Sequence, residues 1–360
     1  MVDAARSVVC LHATDPATVF LSAWARTEDM TVADLERALY EDRSLIKHLS
    51  MRRTLFVFPR ETLSIAQAAA SERVATAQRG QLIRAVEKAG LHADGAAWLA
   101  EAGAQVVAAL ADGREARTAE LREELPLIQG RAMHGSGKWA TEIPVAQHVV
   151  TTLSAEGRIV RATNDGAWTA SRPRWTAMEA WLGKPLDAPD FAEGTTRLVE
   201  AWLRAFGPGT AKDIKWWLGS TVAAVKGALQ ALDVVEVDVG GQLAYVLPDD
   251  VEPEGTVEPW GALLPGLDPT TMGWAERDWY LGPHKAQIFD SNGNAGPTAW
   301  WDGRIVGGWR QDADGVVELQ LLEDVGADGA KELSRRAEEL TAWLAGTRAQ
   351  VRFPSPLSKA

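Results

Sequence analysis

Basic side chains are the residues whose type and spacing point most directly to a chemistry. Residues 43–60 contain five Lys or Arg and no acid, and residues 158–174 contain four Arg and one acid. Such side chains bind phosphate oxygens through charge-assisted hydrogen bonds, so two phosphate-binding patches are predicted, the alternative being an ordinary solvated surface. The candidate phosphate-binding residues are Lys47, Arg52, Arg53, Arg158, Arg161, Arg172 and Arg174.

The net charge of the chain is −12, but the acids are concentrated in one segment. Residues 1–232 contain 27 basic and 27 acidic side chains, whereas residues 233–278 contain 1 and 11. A uniformly basic nucleic-acid coat is therefore excluded, while a local basic groove is not. The acidic block 233–278 is interpreted as a solvated face or a domain junction.

Composition predicts a folded protein of a reducing compartment. Hydrophobic residues make up 46% and charged residues 24% of the chain, which is typical of globular proteins. The single cysteine, Cys10, excludes an internal disulfide and a Cys-based zinc cluster, and packing in the core is its expected role. Because we find no signal peptide, membrane span, metal motif or cofactor motif, we expect a cytoplasmic protein that uses neither metal nor cofactor.

The local patterns predict an α+β fold that is predominantly helical and contains three similar units. Each unit has two short helical patterns followed by a β-rich hairpin, which is the order of a winged helix. In the first unit, Thr31 is a candidate helix N-cap and TLFVFP is a strand. In the second, strands are predicted over 158–162 and 168–171, and in the third the hairpin turns at Gly240-Gly241.

These units and the segments between them give the predicted domain organisation. The second helix of a winged helix enters the DNA major groove, and the candidates for this recognition helix are 44–50, 144–155 and 220–232. A turn at Asp302-Gly303 and a final amphipathic helix over 328–346 are also predicted. The predicted domains are 1–60 with the first winged helix, 61–113 as a helical connector, 114–185 and 195–250 with the second and third winged helices, 255–346 as a small β-rich domain with a final helix, and 347–360 as an extended tail.

Several sequence strings resemble a known family over nearly the whole chain. They are LHATDPATVFLSAWAR, SMRRTLFVFPRE, EGRIVRA with WTASRPRW, LRAFGPGTAKDIKWWLG, and LLPGLDPTTMGWAERDWYLG followed by NGNAGPTAWWDGRIVGGW. Together they are similar to the bacterial winged-helix DNA-binding proteins related to the AlkZ and YcaQ DNA glycosylases. The resemblance implies a protein that binds double-stranded DNA, is associated with the nucleoid and repairs alkylation damage.

The resemblance also implies a catalytic position near the N-terminus. In the characterised glycosylases a Gln, an apolar residue and then Gln or Asp follow a Leu, and they position the water that attacks C1′ of the lesion nucleotide. This chain departs from that pattern, because Leu11 is followed by His12, Ala13 and Thr14. By this correspondence His12 accepts a proton from the water, Thr14 holds the water, and Asp15 places negative charge beside the sugar.

Structural roles are the alternatives at the same positions. Asp15 followed by Pro16 is typical of a helix N-cap with Pro at the first helical position. Thr14 can simply end the preceding element, and His12 can be an ordinary buried histidine. Three functions therefore stay open: a monofunctional DNA glycosylase acting on alkylated bases, a non-catalytic regulatory DNA-binding protein of the same fold, and an interaction scaffold that uses the acidic block.

Overall fold

The computed structural model describes residues 1–134, 141–253 and 255–359 and combines helices with short antiparallel sheets. About 48% of the chain is helical and 19% is strand. The N-terminal unit contains α1 (Val2–Arg6), β1 (Leu11–His12), α2 (Pro16–Trp24), α3 (Val32–Glu36) with a π-helical turn at Arg37–Glu41, β2 (Leu45–Ser50) and β3 (Thr54–Pro59). Its sheet has the strand order β1-β3-β2, with Leu11 opposite Val57 and Val57 opposite Lys47.

The predicted recognition helix over 44–50 is wrong, because this segment is strand β2. Arg43 adopts a φ of 52° and ends the preceding helix, so the chain reverses there. Leu45 to Ser50 then pair in register with β3 through a tight turn at Arg52 and Arg53. The backbone groups of the predicted strand TLFVFP need a partner strand, and the adjacent segment supplies it. The helix that precedes the hairpin is therefore α3 with its π-helical turn.

Long helices connect the N-terminal unit to the second unit. These helices are α4 (Leu63–Ala66), which continues through a π-helical turn at Gln67–Ser71 into α5 (Glu72–Lys88), and α6 (Gly95–Ala109). The second unit contains α7 (Thr118–Glu124), β4 (Arg131–His134), β5 (Thr141–Pro144), α8 (Val145–Ala155), β6 (Ile159–Asn164), β7 (Pro173–Ala177) and α9 (Met178–Leu182). Helix α8 confirms the helix predicted over 144–155.

The strand predicted over 168–171 is wrong, since these residues belong to a loop that closes the β6–β7 hairpin. The side chain of Asn164 accepts a hydrogen bond from Arg172 N and donates one to Ala170 O. In addition, Asp165 N donates to the carbonyl of Arg172, which fixes the neck of the loop. The polar side chain of Asn164 thus organises a longer loop than a two-residue turn, and pairing resumes at β7.

The third unit follows the predicted order closely. It contains α10 (Phe191–Phe206), α11 (Ala211–Leu218), α12 (Val222–Ala231), β8 (Val235–Val239) and β9 (Gln242–Val246). Thr210 and Asp213 form a reciprocal capping box that begins α11. Helix α12 confirms the helix predicted over 220–232, and the hairpin turns at Gly240 and Gly241, both with positive φ.

The C-terminal region is a four-stranded antiparallel sheet covered by the final long helix. Its strands follow the order β10 (Gly261–Leu264), β11 (Thr298–Trp301), β12 (Arg304–Gln311) and β13 (Val317–Leu321). Between β10 and β11 lie α13 (Asp278–Leu281) and α14 (Lys285–Ile288), and after the sheet come α15 (Gly326–Leu344) and α16 (Pro356–Lys359). Asp302 and Gly303 form the predicted hairpin turn, while the predicted extended tail includes the short helix α16.

The largest hydrophobic core joins regions that are far apart in sequence. It contains Phe20 from α2, Trp202 from α10, and Tyr280 and Trp300 from the C-terminal region, all with little or no exposed surface. The N-terminal hairpin, α11 and the segment 272–294 are therefore held around a common centre. Across the described ranges, no helix has both the length and the apolar character that a membrane crossing requires.

Candidate active site

A cavity of about 730 Å³ opens where the N-terminal hairpin meets α11 and the segment before β11. Its walls come from five parts of the chain that are distant in sequence. The lining residues are His12, Arg52, Thr54, Trp216, Met272, Ala275, Arg277, Lys285, Ala286, Phe289, Asp290, Ser291, Asn292, Gly293, Asn294 and Pro356. The volume lies within the range of small-molecule pockets.

His12 contributes to the cavity wall from the end of β1. Its side chain is 6% exposed, and its ring meets Phe56 edge-on at 5.2 Å between ring centroids. Burial and the positive charge of Arg52 lower the pKa of the imidazole to about 3, against an opposing effect of Asp268. Thr14 N donates to Nδ1 at 3.4 Å, which favours the neutral tautomer with its proton on Nε2. Nε2 forms no hydrogen bond with a described residue.

Thr14 and Asp15 support the strand and helix on either side of His12. Asp15 Oδ1 accepts from Ala17 N at 3.1 Å and Oδ2 from Arg352 N at 3.0 Å, which confirms the predicted N-cap of α2. Burial raises the pKa of this carboxyl, although both hydrogen bonds oppose the change. The carbonyl of Thr14 accepts from Arg352 Nη1 at 3.2 Å. Neither Thr14 nor Asp15 is among the residues that line the cavity.

A buried ion pair joins α2 to the loop just before Met272, where the cavity-lining residues of the C-terminal region begin. Asp268 is fully buried and receives both Nη atoms of Arg26, at 2.9 and 2.7 Å. Ser22 Oγ donates to the same carboxylate at 2.6 Å, and Thr270 N donates at 2.9 Å. The carboxylate is thereby saturated with donors, as a buried charge requires. Its position holds α2, which follows His12, next to the loop that leads to Met272.

Two arginines share one tryptophan at the cavity wall. The Cζ atoms of Arg52 and Arg277 lie 4.1 and 5.0 Å from the ring centroid of Trp216, and Arg277 also lies 4.6 Å from the ring of Phe289. Burial and the charge of Arg277 lower the pKa of Arg52 to about 10. Gly219 ends α11 beside them, and a Cβ there would lie 2.7 Å from Arg52 Cγ. Its missing side chain leaves room for Arg52.

A polar loop closes the opposite side of the cavity. Asp290 Oδ1 accepts from Asn292 N at 2.8 Å and from Asn294 N at 2.9 Å, and Oδ2 accepts from Asn294 Nδ2 at 2.9 Å. The carboxylate therefore organises its own loop. Asp290 is the only Asp or Glu that lines the cavity, whereas Arg52, Arg277 and Lys285 are all cations, so the described cavity has an excess of positive charge.

Lys47 and Arg161 come together at a different place. Lys47 and Leu11 both pair with Val57, whereas His12 pairs with the next residue, Phe56. Because successive side chains of a strand point to opposite faces, Lys47 and His12 lie on opposite faces of the sheet. Its Nζ donates to Tyr40 Oη at 2.7 Å, and burial together with nearby Arg161 lowers its pKa to about 8. Both residues line a second, very small cavity of about 20 Å³.

The other predicted phosphate-binding residues differ in their exposure and in whether a carboxylate pairs with them. Arg53 is exposed at the hairpin turn beside the first cavity, and Arg172 is exposed on the β6–β7 loop. Arg158 is exposed and lies 3.7 Å from a carboxylate oxygen of Glu156. Arg174 has a structural role, because it pairs at 3.2 Å with both Glu120 and Asp165.

Sequence reasoning missed the C-terminal half of the cavity. No sequence pattern pointed to Arg277, Lys285, Phe289 or the loop 290–294. Composition alone offered one signal for Arg277, since it is the single basic residue in the acidic block 233–278. The described residues contain no group of three or more His, Cys, Asp or Glu arranged to hold a metal ion.

The sequence as a whole matches a family model described as "DNA glycosylase AlkZ-like" over residues 5–343. The chain belongs to the AlkZ-like DNA glycosylase family. This assignment confirms the resemblance predicted from the motifs, and membership of a DNA glycosylase family implies that the chain binds DNA.

A sequence comparison and a structure comparison both relate this AlkZ-like chain to DNA repair glycosylases of Streptomyces sahachiroi. An interstrand DNA cross-link repair glycosylase is 29% identical over 144 residues, and the alignment covers 37% of each chain. The structure of DNA glycosylase AlkZ superimposes with a TM-score of 0.72 and 19% identity, covering 98% of this chain and 92% of that one. The second comparison shows that the two proteins share a fold.

Proposed function

We propose that the protein is a monofunctional DNA glycosylase that hydrolyses the N-glycosidic bond of alkylated bases in double-stranded DNA. Membership of the AlkZ-like family supports the activity. The observation that carries the site assignment is a buried, neutral His12 that lines a positively charged cavity beside Arg52 and Arg277. A target base within a duplex must be extruded before it can enter such a cavity.

In the proposed reaction, the bond between C1′ and the base nitrogen breaks and its electron pair leaves with the base. An alkylated base that carries a positive charge departs as a neutral molecule, so no acid is needed to protonate it. The sugar develops oxocarbenium character, and a water molecule forms the new bond to C1′. The proton that this water loses passes to the solvent.

The hydrogen bonding of His12 favours orientation of this water over proton abstraction. Because Nδ1 accepts the N–H of Thr14, the proton on Nε2 is available for donation to a water oxygen. A group with a pKa of about 3 is also a weak base at neutral pH. Thr14 therefore acts through its backbone N–H, and Asp15 acts as the helix cap that holds the segment in place.

For DNA binding, we propose that the three helix–hairpin units act as winged helices. The helices that would approach the major groove are α3 with its π-helical turn, α8 and α12. Helix α12 exposes Lys226 and Gln230 on its outer side. Arg53 and Arg172 lie at exposed hairpin and loop positions, where they can contact the phosphate backbone.

Release of a free base from a duplex that contains N7-methylguanine, measured by chromatography, tests the proposed function. We expect release by the full-length protein and a loss of release in His12→Ala with DNA affinity preserved. Affinity should fall steeply as salt concentration rises, because phosphate contacts release counterions.

A non-catalytic DNA-binding protein is the second candidate, and the His12-Ala13-Thr14 departure from the Gln-containing family pattern favours it. Salt-dependent duplex binding without release of N7-methylguanine or of a bulkier alkylated base would identify this function. Absence of duplex binding would contradict both candidates.

A further inference from the structure

Arg277 is a buried cation that lacks a carboxylate partner in the described structure. The residue is 9% exposed, and its Nη2 donates to the carbonyl of Trp274 at 2.8 Å. No described Asp or Glu lies within 4.0 Å of its guanidinium, although its neighbours in sequence are Glu276 and Asp278. Asp213 and Asp278 act on this charge only from a longer distance. A buried charge without a directly paired carboxylate is costly, and an anionic ligand in the cavity would offset that cost.

Arg52 adds a second cation without a carboxylate partner to the same place. It approaches the ring of Trp216 to 4.1 Å, and no described carboxylate forms an ion pair with it. Its φ of 55° is a sparsely populated conformation for a residue other than glycine. That backbone conformation belongs to the turn that brings the side chain to the cavity. The two like charges disfavour each other until an anion lies between them.

Asp290, the acidic residue that lines the cavity, does not neutralise the charges of Arg52 and Arg277. Asp290 accepts three hydrogen bonds from its own loop, so its oxygens are directed to Asn292 and Asn294. Lys285, which also lines the cavity, adds a third cation. The three side chains together offer more N–H donors than one carboxylate can accept, whereas the oxygens of a phosphate match planar guanidinium groups well.

We infer that Arg277 and Arg52 form a phosphate-binding site on the cavity wall, which takes the backbone phosphate next to the extruded nucleotide. The inference rests on the proposed binding of duplex DNA with an extruded nucleotide. Because Arg52 and His12 line the same cavity, the bound phosphate fixes the sugar of that nucleotide beside His12. The aromatic faces of Trp216 and Phe289 hold the two guanidinium groups in place.

The test measures binding of the full-length protein to short duplexes that carry a tetrahydrofuran abasic analogue, by fluorescence anisotropy. Single backbone phosphates around the analogue are replaced, one at a time, by uncharged methylphosphonates. We expect one replacement next to the analogue to weaken binding about 10-fold to 100-fold, since it removes charge-assisted hydrogen bonds. Replacements elsewhere in the contacted region should have smaller effects.

Arg277→Gln and Arg52→Gln then identify the protein side of this contact. Each variant should weaken binding of the unmodified duplex about 10-fold or more, and each should lose its sensitivity to that one methylphosphonate. Arg277→Lys keeps the charge but not the planar fork, so it should retain part of the affinity. Arg335→Gln is the matched control, because it removes one charge from an exposed arginine that pairs with Glu332 on α15.

Thermal denaturation of each variant shows whether it is folded. If folded Gln variants bind the unmodified duplex like the control, or stay sensitive at the same phosphate, the inference is wrong. If inorganic phosphate competes but no methylphosphonate has an effect, the site takes a free anion and the assignment to the DNA backbone is wrong. Failure of base release with a positive methylphosphonate scan would refute the glycosylase activity and leave the phosphate site intact.

Discussion

The loss of base-release rate in His12→Ala and the pH dependence of the wild-type rate provide the most direct check on the proposed chemistry. Removal of a single positioned hydrogen-bond donor from an active site typically costs about 10²–10³-fold in rate. We therefore expect His12→Ala to reduce single-turnover release of N7-methylguanine by this factor. Because the pKa of His12 is about 3, its charge does not change above about pH 5, and the wild-type rate should be flat from about pH 5 to 8.

The assay measures base release with enzyme in excess over a methylated duplex, and anisotropy with the tetrahydrofuran duplex measures binding separately. His12→Gln is the matched variant, since an amide N–H can replace the donor Nε2–H, and it should be more active than His12→Ala. A wild-type rate that falls as the pH is lowered through an apparent pKa near 6.5 would refute the reasoning, because His12 would then titrate and act as a base. Equal rates of base release by His12→Ala and the wild type would show that His12 does not take part in the reaction.

Three further predictions concern stability, measured as the free energy of unfolding in urea. Burial lowers the pKa of His48 from 6.5 to about 4 and that of His12 from 6.5 to about 3, so the unfolded state binds more protons below about pH 6.5. The stabilisation from each histidine is present above pH 6.5 and should decrease by about 3 kcal/mol at pH 4, and His48→Gln should reduce this dependence. Asp268→Ala leaves the largely buried Arg26 without a carboxylate partner, with hydrogen bonds only to Ser22 O and Thr270 Oγ1, and should cost about 3–5 kcal/mol. The double variant Arg26→Met with Asp268→Leu should cost less than the sum of its single changes. Asp15→Ala removes the cap of α2 and should cost about 1–2 kcal/mol; a cost near zero would contradict the observed N-cap.

Much of the helical structure could be predicted because its signals are local. The cap at Thr31, the capping box from Thr210 to Asp213, and the helices over 145–155 and 222–231 all depend on residues within one or two turns. The N-cap role of Asp15 follows from the adjacent Pro16 for the same reason. These patterns, with the motif strings, were sufficient to indicate the family.

Strand 45–50 shows where such local signals fail. Residues 44–50 have no pattern that separates a short helix from a short strand, and the outcome depends on the partner strand β3 and on the turn at Arg52 and Arg53. The loop that replaces the strand predicted over 168–171 depends similarly on hydrogen bonds from Asn164 to residues on the far side of the loop.

The amino-acid sequence alone was enough to indicate the family, to place His12 at the expected catalytic position and to nominate Arg52 as a phosphate ligand. It did not indicate that Arg277, Trp216 and Phe289 would join them in one cavity. The reason is physical: caps and helix faces involve neighbours along the chain, whereas a cavity is defined by surfaces that meet only after the core has formed. Here the core shared by α2, α10 and the C-terminal region brings residues 12, 52, 216 and 277 together.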